Sequence, residues 1–408
     1  MGATISFEQR RARLVERHFL DQRTNTIDGV AEALVGLHSS DPISVYLALW
    51  ARLDEVTPEE ITHELYEQRS LLRLHAMRRT LFVAPVDLAV TMSAACTEGY
   101  LAREHTKLAT LIAGQGVCAA GDEAAFVQRT CAATLAALRA RGSATTAELG
   151  VDVPDLAKKV SYAPGTRWGA SMGIAARIMF LLAAEGRIAR GKPLGSWVAS
   201  QYRWTPIETV LGGDLPRRDP EAARVDLSRH WLAAYGPGTR VDLQWWSGWT
   251  KRHTTAALED ASATPVEVEA EDGSPAAAWV LPGDDIDPPE SMHEPCVRLL
   301  PGLDPTIMGW KQRHWYVGDH GRELFDRNGN AGPTIWIDGR VVGAWVQAAN
   351  GEILTHVLDE HDHGLATLRL VHEQAAALQV WLGDTRITHR FRSPLELDLA
   401  RRHATDAR

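Results

Sequence analysis

The sequence has no apolar run long enough to span a bilayer. Ile178–Ala184 is short and is bounded by Arg177 and Glu185. The first residues show no charged region followed by an apolar stretch, so no signal peptide is expected. The four cysteines, Cys96, Cys118, Cys131 and Cys296, are scattered without pairing or metal-type spacing. They read as reduced thiols of a cytoplasmic protein. One dense cluster, Asp359-Glu-His-Asp-His363, has no further His/Cys pair to complete a metal site. It is expected to be a solvated turn between a strand and a helix, and neither a metal nor a cofactor is expected. An excess of positive charge is missing too: 43 Lys and Arg against 52 Asp and Glu leave a net charge of -9. That weighs mildly against nucleic acid as a partner. It does not exclude it, because screening acts over roughly 8 Å and a basic groove can sit in an acidic exterior.

What remains is a globular composition, 45% hydrophobic and 23% charged, over 408 residues. That length holds about two to four modules. Three stretches place a Thr three residues before a carboxylate: Thr57/Glu60, Thr145/Glu148 and Thr239/Asp242. Each is a capping box, in which the Thr oxygen accepts from a first-turn N–H and the acid reaches back toward the cap. Asp242 is the shorter version. Amphipathic helices precede the boxes, at about Ile43–Leu53, Glu123–Ala140 and Glu221–Ala234. After them come β-prone pairs: Leu71–His75 with Thr80–Val83, Arg187–Arg190 with Gln201–Trp204, and Pro265–Ala270 with Ala276–Leu281. An apolar helix is expected near Arg167–Ala184, closed by Gly186. Helix, capped short helix, helix and hairpin is the order of a winged helix, and three matching copies favour a tandem repeat.

From about residue 294 short β-prone runs take over: Val297–Leu300, His314–Val317, Thr334–Ile337, Arg340–Gln347 and Glu352–Val357. Asp338-Gly339 suits a hairpin turn. A helix near Leu365–Leu382 and a terminal strand near Arg386–Phe391 complete a β-rich, barrel-like module. Pro282–Pro289 is the linker candidate.

The stretch LVGLHSSDPISVYLALWARL (residues 34–53) holds the polar cluster His38-Ser-Ser-Asp41 between two helices. Val30, Ala33, Leu34 and Leu37 form one helical stripe, which puts His38 in the last turn. Asp41 then caps the next helix, with Pro42 at its first position. Trp245, Trp246 and Trp249 have helical spacing and read as core.

The chain resembles the AlkZ-like DNA glycosylases, the winged-helix group that unhooks interstrand crosslinks and excises bulky alkylated purines. The likeness is carried by Leu37-His-Ser-Ser-Asp-Pro42 with Trp50-Ala-Arg52, His75-Ala-Met-Arg-Arg-Thr-Leu-Phe82, Tyr235-Gly-Pro237 with Trp245-Trp-Ser-Gly248, Leu300-Pro-Gly-Leu-Asp-Pro-Thr-Ile-Met-Gly-Trp310, and Gly339-Arg-Val-Val-Gly343 with Trp345. It implies an α+β fold: three tandem winged-helix domains (1–115, 116–215 and 216–290) and a C-terminal β-barrel-like module (291–408), C-shaped around DNA. It implies a monofunctional glycosylase that hydrolyses the N-glycosidic bond of alkylated or crosslinked purines, in DNA repair or genotoxin self-resistance. The expected partner is damaged double-stranded DNA, bound by a monomer with no membrane association. A non-catalytic DNA-binding protein, regulator or lesion binder, is the alternative.

Family members carry Gln-x-Gln or Gln-x-Asp where this chain has His38-Ser39-Ser40. By position, His38, Ser40 and Asp41 are the catalytic candidates. A Gln amide holds a water; His38 can hold it and take its proton. Ser40 can orient the water, and Asp41 can orient His38 if capping leaves it free. DNA contacts are expected from Arg73, Arg78 and Arg79 at the first hairpin. Arg187, Arg190, Lys192 and Arg203 would serve at the second, and Lys311 and Arg313 beyond the Asp304-Pro305 motif.

Overall fold

The computed structural model describes residues 4–162, 170–284 and 295–406. Helix accounts for 49% and strand for 18%, and the sheets are open. Helix α1 (Phe7–Arg17) starts on a capping box of Ser6 and Gln9, the same device as Thr with a carboxylate but in other residues. Helix α2 (Ile27–Ala33) leads to β1 (Leu37–His38), and α3 (Pro42–Trp50) follows with Asp41 as its N-cap.

The first unit runs from α3 to α4 (Pro58–His63), a π-helical turn at Glu64–Gln68, and a hairpin of β2 (Leu71–His75) and β3 (Leu81–Pro85). Strand β1 pairs on the far side of β3. Long α5 (Val86–Ile112) leads to the second unit: α6 (Glu123–Arg141), α7 (Thr146–Asp152), the ladder of β4 (Lys159–Tyr162) with β5 (Ala170–Gly173), α8 (Ala175–Ala184), and the hairpin of β6 (Ile188–Pro193) with β7 (Tyr202–Pro206). After α9 (Ile207–Leu211) comes the third: α10 (Pro220–Tyr235), α11 (Arg240–Ser247), α12 (Lys251–Asp260), and the hairpin of β8 (Thr264–Glu269) with β9 (Pro275–Val280).

All three capping boxes read from the sequence are formed, opening α4, α7 and α11. Glu60 and Glu148 each accept the cap N–H at 2.7 Å, whereas the shorter Asp242 reaches only 3.2 Å. The order helix, capped helix, helix, hairpin is complete in the second and third units. In the first, the π turn ends on Arg69 in a left-handed conformation (φ 60°) and passes straight into β2. The helix expected near Arg167–Ala184 begins only at Ala175, because 170–173 form β5; residues 167–169 lie outside the described residues.

The C-terminal module holds β10 (Val297–Leu300), α13 (His314–Val317), α14 (Gly321–Leu324), β11 (Thr334–Ile337), β12 (Arg340–Gln347), β13 (Ile353–Val357), α15 (Leu365–Leu382) and α16 (Pro394–Asp406). Asp338 and Gly339 both turn left-handed (φ 49° and 74°), as a two-residue hairpin of this type requires. The sheet is antiparallel in the order β10-β11-β12-β13. It does not close. Helix α15 lies against both edge strands, β10 and β13, where a barrel would pair them. Two expected strands are absent. His314–Val317 is one helical turn, a run too short for periodicity to separate helix from strand. Residues 386–391 are irregular and are tied down by side chains, among them Gln347, whose Oε1 accepts from the Ile387 N–H at 2.8 Å. Asp359–His363 is a solvated turn between β13 and α15, as expected, with Asp359 bonded to His320 at 2.9 Å. The linker candidate falls largely outside the described residues. No described helix is long and apolar enough to cross a membrane.

One core cluster runs through residues from Leu14 to Leu395 and unites the first and third units with the C-terminal module. The second unit has a core of its own, drawn from residues between Leu108 and Trp204. Trp246 and Trp249 are buried as expected, and Trp245 is half-buried. The junction of the large core carries a charge pair. Arg52, just after α3, and Asp304 are both fully buried. Nη1 and Nη2 of Arg52 bond to the two Asp304 oxygens at 2.9 and 2.7 Å. The other three N–H groups reach His18 O, Ala48 O and Thr306 Oγ1 at 2.8–3.0 Å. All five donors of the guanidinium are satisfied. Ser44 on α3 adds a 2.6 Å bond to Gly302 O.

Asp304→Ala strands this guanidinium in the core. It is expected to lower unfolding free energy by about 3–5 kcal/mol in urea titrations, the cost of an uncompensated buried charge.

Candidate functional site

The site begins with a break in the backbone. Val35 (φ 51°) and Gly36 (φ 87°) turn left-handed in succession and end the helical path. A Cβ at Gly36 would come within 2.8 Å of the Met92 side chain, in a conformation that already favours glycine. The chain leaves this turn as a strand. His38 is therefore not in the last turn of a helix, as the apolar spacing suggested; it is the second residue of β1, opposite Phe82.

His38 is 5% exposed, and its ring meets Phe82 edge to face at 5.0 Å. Burial, and secondarily the charge of Arg78, push its pKa down to about 3, so the ring is neutral at pH 7. The Ser40 N–H faces Nδ1 at 3.4 Å. That bond assigns the ring proton to Nε2, which has no partner among the described residues and is not sealed from solvent. Ser40 is half-buried, and its hydroxyl is likewise unpartnered. Asp41 is buried and occupied: it accepts from the Ile43 N–H at 3.4 Å as the cap of α3 and from the Arg390 N–H at 2.8 Å. Burial raises its pKa while those two donors pull it back down. No hydrogen bond joins Asp41 to His38.

Seven of the nine cations read from the sequence fall into three sets. Arg78 and Arg313 both stack on Trp245, at 4.2 and 5.0 Å, and Arg78 is the cation that acts on His38. Arg73 and Arg190 form a second set: burial, and secondarily the charge of Arg73, lower the pKa of Arg190, which also lies 4.5 Å over Tyr202. None of these four takes part in an ion pair among the described residues, and each has a sealed guanidinium nitrogen without a partner. The third set is committed to carboxylates: Arg79 to Glu104, Lys192 to Glu67, and Arg203 to Glu148, the acid of a capping box. Arg187 is half-buried with an unpartnered Nε, and Lys311 is exposed in the segment before Arg313.

Two residues join the site that were not among its expected members. Arg390 comes from the irregular C-terminal segment. Besides its N–H bond to Asp41, its guanidinium reaches Ser40 O at 3.3 Å, and its charge acts on Arg190. His75, at the end of β2, lines a cavity of about 440 Å³ with Phe180, Arg190, Tyr202 and Trp204. Burial and Arg190 lower its pKa to about 4.

Unpaired guanidiniums thus act on the motif and on its neighbour: Arg78 on His38, and Arg190 within the field of Arg390, which bonds to Ser40 O. Arginines left without carboxylates suit phosphate groups, and the neutral Nε2–H and the hydroxyl suit a held water. No group of three or more His, Cys, Asp or Glu among the described residues is arranged to hold a metal ion.

Residues 31–381 match the family model described as DNA glycosylase AlkZ-like. The Streptomyces sahachiroi DNA glycosylase AlkZ has a similar fold, with a TM-score of 0.70 and 21% identity over 95% of this chain and 100% of that one. No curated protein matches the sequence significantly.

The buried imidazoles set an acid limit. His18, His38 and His389 are pushed to about 3 and His75 to about 4, against 6.5 in the unfolded chain. The unfolded state is then the better proton binder, so their contribution is complete above about pH 6.5 and is lost as pH falls toward 4 and 3. His38→Gln is expected to flatten this decline. Near pH 5 the slope of unfolding free energy against pH should fall by about 1.4 kcal/mol per unit, one proton's worth, in denaturant titrations.

Proposed function

We propose that this chain, which belongs to the AlkZ-like DNA glycosylase family, hydrolyses the N-glycosidic bond of alkylated or crosslinked purines in double-stranded DNA. His38 and Ser40 stand at the reacting sugar. One observation carries the reading: an unpartnered Nε2–H of His38 and, two residues on, an unpartnered Ser40 hydroxyl, with the unpaired Arg78 acting on His38. In this reading the three capped units are winged helices, and the C-terminal module, an open sheet with α15 across both its edges, is a wall of a C-shaped channel.

The chemistry matches a neutral donor. An N7-alkylated purine is already cationic, so when the C1′–N9 bond breaks its electrons neutralise the ring and no strong acid is needed. What remains is an oxocarbenium-like sugar that a water must reach. The water accepts from Nε2–H of His38 and donates to Ser40 Oγ. It becomes acidic as its oxygen bonds to C1′, so its proton leaves to solvent without a strong base. His38 is here a water holder rather than a general base, since its Nδ1 is occupied by the Ser40 N–H and its proton affinity is low. The arginines hold flanking phosphates, whose negative charge offsets the guanidiniums around a cationic base.

The occupied Asp41 and the low proton affinity of His38 also favour the second reading, a DNA-binding protein that grips lesions without turnover.

Duplex DNA carrying N7-methylguanine separates the two. Wild-type protein is expected to form abasic sites at a rate that is flat from about pH 6 to 8, because His38 does not titrate there. His38→Ala should cost about 10²-fold in single-turnover rate, as removal of one positioned donor does. His38→Gln, which keeps an N–H donor, should retain most activity. Salt-sensitive duplex binding without abasic sites would leave the lesion binder standing alone. Absence of duplex binding at low salt would dismiss both.

A further inference from the structure

Arg10 on α1 has none of the partners that Arg52 has. It is 5% exposed, and its Nε and Nη2 are sealed from solvent without an acceptor. Nη1 is the nitrogen that is not sealed, and it too lacks a protein partner among the described residues. The guanidinium lies 4.2 Å over the Trp315 ring, and the neighbouring Arg11 fixes that segment with a 2.8 Å bond to Trp315 O. Asp242 acts on Arg10 only from a distance, because its oxygens are taken by the N–H groups of Thr239, Lys311 and Gln312. Burial lowers the Arg10 pKa to about 10 and still leaves it charged at neutral pH. A buried charge with no acceptor is costly, and a cation on an aromatic face offsets only part of that cost.

The position of Arg10 supplies a reason for it. It lines a groove of about 530 Å³ together with Lys311, Arg313, His314 and Trp315. The acids of this groove leave its inner end positive. Glu269 accepts from the Phe7 N–H at 3.0 Å, while Glu271 and Asp319 are largely exposed and each stand 3.8 Å from His314. A guanidinium stacked on an indole face is held in one plane, and its open Nη1 can donate to an oxygen of a phosphate. The groove adjoins the candidate site: Arg313 also stacks on Trp245, which carries Arg78, the cation beside His38. Arg10 itself lies before residues 31–381, the range of the family match.

We propose that Arg10, with Lys311 and Arg313, forms an anion subsite that holds a phosphate group. Resting on the glycosylase reading, that phosphate is a diester of the DNA backbone flanking the strand that reaches His38.

Two probes test this. Inorganic phosphate, titrated at constant ionic strength against chloride, should raise the melting temperature of the wild-type protein, and Arg10→Gln should abolish the rise. An undamaged duplex should bind Arg10→Gln about tenfold more weakly, and the slope of log affinity against log salt should shrink by about one phosphate contact. Lys311→Gln, altered at an exposed side chain, should shrink the slope likewise and does not depend on how Arg10→Gln folds. Stabilisation by phosphate with an unchanged duplex slope assigns the subsite to free phosphate and overturns its DNA role. No stabilisation together with unchanged slopes in both variants overturns the subsite. Abasic-site formation by the wild-type protein reports separately: excision with unchanged slopes removes this inference alone, and altered slopes without excision remove only the glycosylase reading.

Discussion

The buried pair of Arg52 and Asp304 is the constraint on which the rest of the structure depends. It joins the end of α3 to the loop that follows β10, across more than half the chain. Because all five guanidinium donors are used, the two segments have one mutual arrangement that satisfies them. Helix α3 starts at Asp41. Fixing its far end therefore fixes where the His38-Ser39-Ser40-Asp41 stretch lies against the C-terminal module. Arg390 then closes the near end with its bonds to Asp41 and Ser40.

Five other buried or half-buried arginines contrast with Arg52: Arg10, Arg73, Arg78, Arg190 and Arg313 keep guanidinium nitrogens without an acceptor among the described residues. Several rest on aromatic rings, which provide a seat for the plane without using the N–H edge. Protein interiors rarely leave such donors empty, and in the proposed function the phosphates of DNA fill them. The net charge of -9 averages over the whole exterior and does not describe this region.

The same burial shapes the chemistry open to His38. Enclosure beside Arg78 removes its usefulness as a base and turns it into a fixed, neutral N–H donor. Where relatives of the family keep a Gln, this chain holds a ring that presents one donor in much the way an amide does. Under the proposed hydrolysis, the His-x-Ser form departs less in function than in composition.

Local rules made much of the fold legible. Capping boxes at Thr57, Thr145 and Thr239, the Asp41-Pro42 helix start, the Asp338-Gly339 turn and the span Leu365–Leu382 each depend on residues a few positions apart, so the sequence alone determined them. The family was legible as well, through the motifs that carry the likeness. Tertiary structure decided the rest. His38 looked helical because Leu37 completes an apolar stripe, and only the turn packed on Met92 sends it into a strand. The last strands of a barrel were expected from β-prone runs, yet α15 covers both sheet edges and leaves no edge to pair. Which arginines are spent on carboxylates and which stay free has no local signature. Arg203 and Arg190 share a hairpin, and only one finds a glutamate. Arg390 reaches the motif from 349 residues away. Such pairings follow from how distant elements pack, and packing is a property of the whole chain rather than of any segment in it.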